Sequence, residues 1–270
     1  MRVRGGGTTP ERDRPRRVEA LPHPGLRGLL VRRYHGYPCT GSPHERGSMP
    51  AGTAVRLVVK LADSPHRPPE FVLGPRDRCF PVEGPCAPSY LAFSLHPLAA
   101  CAVLDTPGIY LRDCLLDLSD LTGRRFRDTV DRIRESRCWQ DRFGLLDTFL
   151  LERADEGRRP PREVERAWSL LTVSGGAMTI GPIADEVGWS HKHLIARFTH
   201  HVGLTPKTAA RLIRFDRLRQ RLLRSPRPRL ADLAATYGYA DQPHLTREFR
   251  EFAGETPLQY HRREIAADRS

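Results

Sequence analysis

The sequence predicts an α+β chain. A mostly-β N-terminal region with C-terminal helices is followed by an all-α region of two helix–turn–helix units joined by a linker helix. Three observations predict it. From about Leu26 to Asp120 the chain is rich in Pro and Gly, with short apolar runs such as "AVRLVVKL" and "SYLAFSLH". Beyond about residue 120 the apolar residues recur at helical spacing instead. And one small element is written twice, as "GWSHKHLIARFTHHVGLTP" (Gly188 to Pro206) and "GYADQPHLTREFREFAGETP" (Gly238 to Pro257).

Taken in order, the start "MRVRGGGTTPERDRPRRVEALPHPG" is basic and lacks the apolar stretch of a secretory signal. It is expected to be a disordered basic leader over residues 1–22, or an over-extended start. The apolar runs that follow, broken by turn residues, read as strands. In "RRFRDTVDRIRESRCWQDRFGLLDTFLLERA", Phe126, Val130 and Ile133 lie at helical spacing, and Phe143, Leu146, Phe149 and Leu150 make a second apolar face. That predicts a helical pair closing an N-terminal domain over residues 23–155. "DEGRRPPRE" is charged and carries two prolines, so a linker is expected over 156–163. Residues 164–265 read as short helices.

The 270-residue chain has a formal net charge of +12, and only Lys60, Lys192 and Lys207 are lysines. Such an excess favours a polyanionic partner, nucleic acid or an anionic membrane surface. A GC-rich genome would also enrich arginine, so placement of the charge has to decide. No apolar run approaches the ~20 residues of a membrane helix, and a cytoplasmic location is expected. The cysteines, Cys39, Cys79, Cys86, Cys101, Cys114 and Cys138, form no Cys-x-x-Cys pair. They are expected to be reduced, half-buried side chains. Tyr34, His35, Tyr37, His44 and His96 invite a ligand or metal reading, but none of the histidines has helix-face metal spacing. No metal site, cofactor or catalytic residue is expected.

Within the last region, Ile183, Ala184 and Val187 form an apolar face, Gly188 can take the positive φ that ends a helix, and Ser190 suits an N-cap. Leu194, Phe198 and Val202 then recur four apart. The second copy runs Leu230, Leu233 and Ala234, then Gly238, Asp241 as cap, and Leu245, Phe249 and Phe252. The glycines are 50 residues apart and the phenylalanines 51, which places one extra residue in the second turn. A helix–turn–helix cannot bury its own apolar face. Two generic hairpins in a helical core would satisfy that much. Outward faces of donors, rather than a Glu/Lys mixture, suit recognition helices in a DNA major groove.

Between the copies, "KTAARLIRFDRLRQRLLRSPRPR" holds nine basic residues against one acid, Asp216. Leu212, Phe215, Leu218 and Leu222 make a packing stripe, with Arg214, Arg217, Arg221 and Arg224 beside it. Local charge of this density predicts a phosphate-facing helix.

These residues resemble the DNA-binding domain of the AraC/XylS family of bacterial transcription regulators. The resemblance runs from about Arg162 to Arg263. It rests on "IADEVGWSHKHLIARFTHHVGLTPK", "RLIRFDRL" and "LADLAATYGYADQPHLTREFREFAGETPLQYHR". It implies two helix–turn–helix units on a rigid linker helix, reading adjacent major-groove segments of operator DNA. Lys207 to Leu223 would span ~25 Å, compatible with groove faces repeating about every 34 Å.

Carried over by position, the base-reading residues would be His191, Lys192, Ile195 and Ala196 in the first unit. In the second they would be Gln242, Pro243, Thr246 and Arg247. Ser190, Lys207, Arg211, Arg214, Arg217, Arg221 and Arg250 would contact phosphates. The family often has arginine where this chain has Ala196, so the first unit would read fewer bases by hydrogen bond. Trp189, Leu194, Phe198, Tyr239, Leu245 and Phe249 are expected in the core, with His193 and His244 packing beside it.

The N-terminal pieces "YHGY", "GPRDRCF", "LHPLAACAVLDTP" and "LLDLSDLTG" resemble the N-terminal domain of members common in actinobacteria. That implies a sensor-like domain. The expected partners are double-stranded operator DNA, RNA polymerase, a small-molecule effector and a second copy of the chain, with no membrane. Other readings are an enzyme whose N-terminal domain acts on a small molecule or alkylated DNA, and an RNA-binding protein. No Gly-rich phosphate loop, nucleophile elbow or His-Glu-x-x-His occurs, and the aromatics fall on core positions rather than on a stacking surface.

Overall fold

The structure, a computed structural model, describes residues 17–31, 33–38, 47–62, 68–82 and 89–268. Cys39, Cys86, His44 and the first 16 residues of the expected leader lie outside them.

A six-stranded antiparallel sheet forms the N-terminal half, in the order β1-β2-β7-β4-β5-β8. Its strands are β1 (Val18–Ala20), β2 (Tyr34–Tyr37), β4 (Val55–Lys60), β5 (Glu70–Leu73), β7 (Tyr90–Leu95) and β8 (Leu115–Asp117). A two-stranded ribbon pairs β3 (Gly47–Met49) with β6 (Phe80–Val82). The apolar runs read as strands become β4 and β7, paired along their whole length from Val55↔Leu95 to Lys60↔Tyr90. Strand period sorts their side chains. Leu57, Val59, Leu91 and Phe93 face one core, while Val58 and Ala92 join Phe71 and Leu73 on the other face.

The helical pair is present as α3 (Ser119–Glu135) and α4 (Trp139–Glu156). Phe126, Val130, Ile133, Phe143, Leu146, Phe149 and Leu150 all pack on the sheet's larger core. Two earlier helices, α1 (Pro97–Leu104) and α2 (Gly108–Leu111), carry no sequence period because α1 is buried nearly all round.

Two boundaries differ from expectation. Val18–Ala20 is not leader but an edge strand, paired Val18↔Gly36 through Ala20↔Tyr34. Edge pairing is non-local, and nothing in three residues announces it. The interval between helices is 157–161 rather than 156–163, since α4 runs to Glu156 and α5 starts at Arg162.

The C-terminal half is all helix: α5 (Arg162–Val173), α6 (Ile180–Glu186), α7 (His191–Val202), α8 (Pro206–Arg224), α9 (Leu230–Thr236), α10 (Gln242–Ala253) and α11 (Pro257–Asp268). One continuous core joins both units, including Leu194, Phe198, Leu212, Phe215, Leu218, Leu222, Leu245, Phe249 and Phe252. Trp189, expected in the core, is packed against its edge and only half-buried. Among the described residues no helix is long and apolar enough to cross a membrane, and no group of three metal-binding side chains occurs.

Candidate nucleic-acid interface

The two turns are built alike. After α6, Gly188 sits at φ 69°, and after α9, Gly238 sits at φ 70°. Behind each glycine the next residue's N–H reaches back to close the helix. Trp189 donates to the Ala184 carbonyl at 3.0 Å, and Tyr239 to the Ala234 carbonyl at 2.9 Å. This six-residue closure satisfies carbonyls that the helix end leaves free and requires the left-handed glycine. The following helix is then capped. Ser190 Oγ accepts from the His193 N–H at 3.2 Å, and Asp241 Oδ1 from the His244 N–H at 2.6 Å. The extra residue of the second turn is Ala240, between Tyr239 and the cap. In each copy the turn aromatic meets a histidine of the first helical turn edge-on: Trp189 with His193 at 4.6 Å, Tyr239 with His244 at 5.4 Å.

With Leu194, Phe198 and Val202 turned into the core, α7 leaves His191, Lys192 and Ala196 exposed and Ile195 half-buried. On α10, Leu245, Phe249 and Phe252 are buried, Gln242, Pro243 and Arg247 are exposed, and Thr246 is half-buried. The eight residues therefore lie on the outward faces of two capped helices of twelve residues each.

The residues expected at phosphates divide. Ser190, Lys207, Arg217, Arg221 and Arg250 are exposed, with the Arg217 guanidinium lying against Gly175 at the end of α5. Arg211 and Arg214 are turned toward α10. Arg211 Nε donates to Glu248 Oε2 at 2.8 Å and Nη2 to Glu251 Oε2 at 2.7 Å. Arg214 Nη2 stands 3.7 Å from Glu248 Oε1. The two guanidiniums also lie over the rings of Phe252 at 4.8 Å and Tyr239 at 4.9 Å. Burial opposes the Arg211 charge, but Glu251 and Glu248 outweigh it and raise its pKa. Burial, then the Glu248 carboxylate, pushes the Tyr239 phenol above its ordinary value. Farther along, Arg219 pairs with Asp216 and donates to Tyr260 Oη at 3.2 Å.

Arg211 and Arg214, expected on one uniform phosphate-facing row, are turned to carboxylates of α10 in this structure. Their segment holds a single acid, yet Glu248 and Glu251 reach Arg211 from 37 and 40 residues away, and Glu248 also faces Arg214. Sequence reading passed over Glu248, which is 4% exposed. The available signal was its alignment with Arg197 of the first copy, 51 residues earlier. An acid occupies a place the other copy fills with a base.

Residues 183–263 match the family described as "Helix-turn-helix domain". The uncharacterized HTH-type transcriptional regulator YbfI of Bacillus subtilis (strain 168) is 35% identical over 68 residues, which cover 25% of this chain and 24% of that protein. Among solved structures, an AraC-type DNA-binding transcriptional regulator from Chromobacterium violaceum aligns with a TM-score of 0.35 and 23% identity, over 37% of this chain and 89% of its own. The C-terminal domain of the response regulator AraT from Geobacillus stearothermophilus aligns at 0.36 and 23%, over 39% and 88%. ToxT from Vibrio cholerae aligns at 0.49 and 8%, over 84% and 97%.

Proposed function

We propose that this chain, whose residues 183–263 match a helix-turn-helix domain, is a sequence-specific DNA-binding transcription regulator of the AraC type. α7 and α10 are its two reading helices, in successive major-groove segments. The observation that carries the reading is the pair of identically closed and capped turns, each followed by a helix whose first turns are polar and uncovered. Gln242 pairs with adenine, Arg247 with guanine or a phosphate, and Ile195 meets a thymine methyl. Lys207, Arg217, Arg221 and Arg250 hold the backbone and set affinity. The N-terminal domain modulates occupancy through an effector or a second copy of the chain.

Selection of bound duplexes from a random pool tests this. A recurring pair of half-sites is the expected result, and an unenriched pool with salt-dependent binding to every sequence would sink it. On the selected operator, Arg247→Ala should weaken binding by about 1–3 kcal/mol and relax one base position.

A further inference from the structure

The N-terminal domain touches both reading helices at the same point of their design. α7 and α10 each end at a left-handed glycine, Gly203 at φ 84° and Gly254 at φ 79°, and these glycines are 51 residues apart, as the copies are. Against Gly203 lies Gly108 at the start of α2. The contact is backbone on backbone. A Cβ on Gly108 would meet the His201 carbonyl oxygen at 2.4 Å and the Gly203 nitrogen at 2.7 Å, and one on Gly203 would meet the Gly108 oxygen at 2.5 Å and Pro75 at 2.9 Å. Around Gly254 the domain supplies donors. The Ala51 N–H donates to the Phe252 carbonyl at 2.7 Å, and Ser48 Oγ donates to the Ala253 carbonyl at 3.2 Å. These are last-turn carbonyls that a helix cannot satisfy itself. Cys79 Sγ lies 2.8 Å from where a Gly254 Cβ would stand.

The two contacts belong to one hydrogen-bonded piece. Gly52 and Arg76 exchange both backbone bonds, at 3.0 and 2.9 Å, next to Ala51. Pro75 accepts from the Asp113 N–H at 3.1 Å, and Gly74 donates to the Cys114 carbonyl at 3.1 Å, just beyond α2. A continuous backbone path therefore runs from Gly108 through Pro75 and Arg76 to Ala51. It ends on α7 at one side and α10 at the other.

We infer that this bracket, Gly108–Pro75–Arg76–Gly52–Ala51, determines the half-site spacing that the two reading helices accept. The inference rests on the DNA-reading function proposed above. Each twelve-residue helix is ~18 Å long, and the bracket holds the C-terminal end while the reading residues sit at the N-terminal end. DNA and bracket are therefore engaged together, and the N-terminal domain governs the geometry of reading without covering it. α8 joins the helices from within the domain, and the bracket joins them from outside.

The test uses the full chain and the operator selected for it, with one or two base pairs inserted or removed between half-sites. Each base pair moves one half-site by about 3.4 Å and a tenth of a turn. The unaltered chain should lose at least about tenfold in affinity per single-pair change, since both helices are fixed. Gly108→Val presses a side chain into the end of α7, and Ala51→Pro removes the donor to Phe252. Both should tolerate the same changes with less than about threefold loss, while base preferences inside each half-site stay as they were. Thermal melting confirms that either variant is folded before it is scored, and the two act from opposite ends of the bracket. A full spacing penalty in both folded variants would overturn the inference and leave α8 as sole spacer. Indifference of the unaltered chain to spacing would overturn it as well. If the random pool gives no operator for the unaltered chain, the DNA-reading function fails first and the bracket falls with it.

Discussion

Glu248→Ala removes the carboxylate that fastens α10 to α8. Glu248 is 4% exposed, and its side chain faces Arg211 at 2.8 Å and Arg214 at 3.7 Å. Removing one member of a buried ion pair costs about 3–5 kcal/mol, because the remaining charge is left without compensation. Two facts reduce that figure here. The Arg211 and Arg214 side chains are 32% and 21% exposed, so water reaches them, and Arg211 keeps Glu251 at 2.7 Å. About 2–3 kcal/mol is the resulting expectation, with about 1 kcal/mol for Glu248→Gln, which keeps the acceptor and loses the charge. Urea denaturation measures both. A double-mutant cycle with Arg211→Met isolates the pair and should give a coupling of about 1–2 kcal/mol. If Glu248→Ala lies within about 0.5 kcal/mol of the unaltered chain, or the coupling vanishes, α10 is held by its apolar stripe alone.

Three further outcomes follow from the same geometry. Lys207→Ala and Arg221→Ala should each reduce the salt dependence of DNA binding by about one unit of slope, whereas Arg211→Met should leave the slope unchanged and lower stability; titrations across salt concentrations separate the two. Gly188→Ala and Gly238→Ala should each cost about 1–2 kcal/mol, because both positions are left-handed with nothing within 4 Å of an added Cβ; unequal melting shifts would mean the turns are not equivalent. Burial lowers the His96 pKa from 6.5 to about 4, so the folded state disfavours the proton that the unfolded state accepts. The His96 contribution to stability should therefore fall by about 3 kcal/mol as pH drops from 6.5 to 4, and that contribution levels off below. His96 caps α1 and meets Trp168 edge-on at 5.1 Å. The acid-induced loss should shrink in His96→Asn, which can still cap, and an unchanged loss in urea melts at the two pH values would remove His96 as its cause.

What the sequence disclosed was local. The repeat was legible because glycine, cap and apolar stripe lie within twenty residues, and each has a stereochemical reason to be there. The strands β4 and β7 were legible for the same cause. What stayed hidden depended on distant partners. The pairing of β1 joins Val18 to Gly36, and the neutralisation of Arg211 comes from acids on another helix. α1 was missed because burial on all sides erases the period that marks a helix. The faces carrying His191, Lys192, Gln242 and Arg247 could be placed from helical spacing together with the family resemblance; which arginines beside them are ion-paired could not.

The core under α10 has a further consequence. Ala51 belongs to the same apolar cluster as Phe249 and Phe252, although more than a hundred residues separate it from α5. Covalent order and core membership therefore disagree: the helical half borrows a side chain from the sheet half. Cutting the chain in the 157–161 interval would sever the polypeptide at a sensible place and still leave a gap in the packing. A fragment starting at Arg162 would expose the Phe252 and Ala253 carbonyls to water and lose the small apolar plug beside them. Its weakest point would then be the end of α10, one of the two helices it was excised to study.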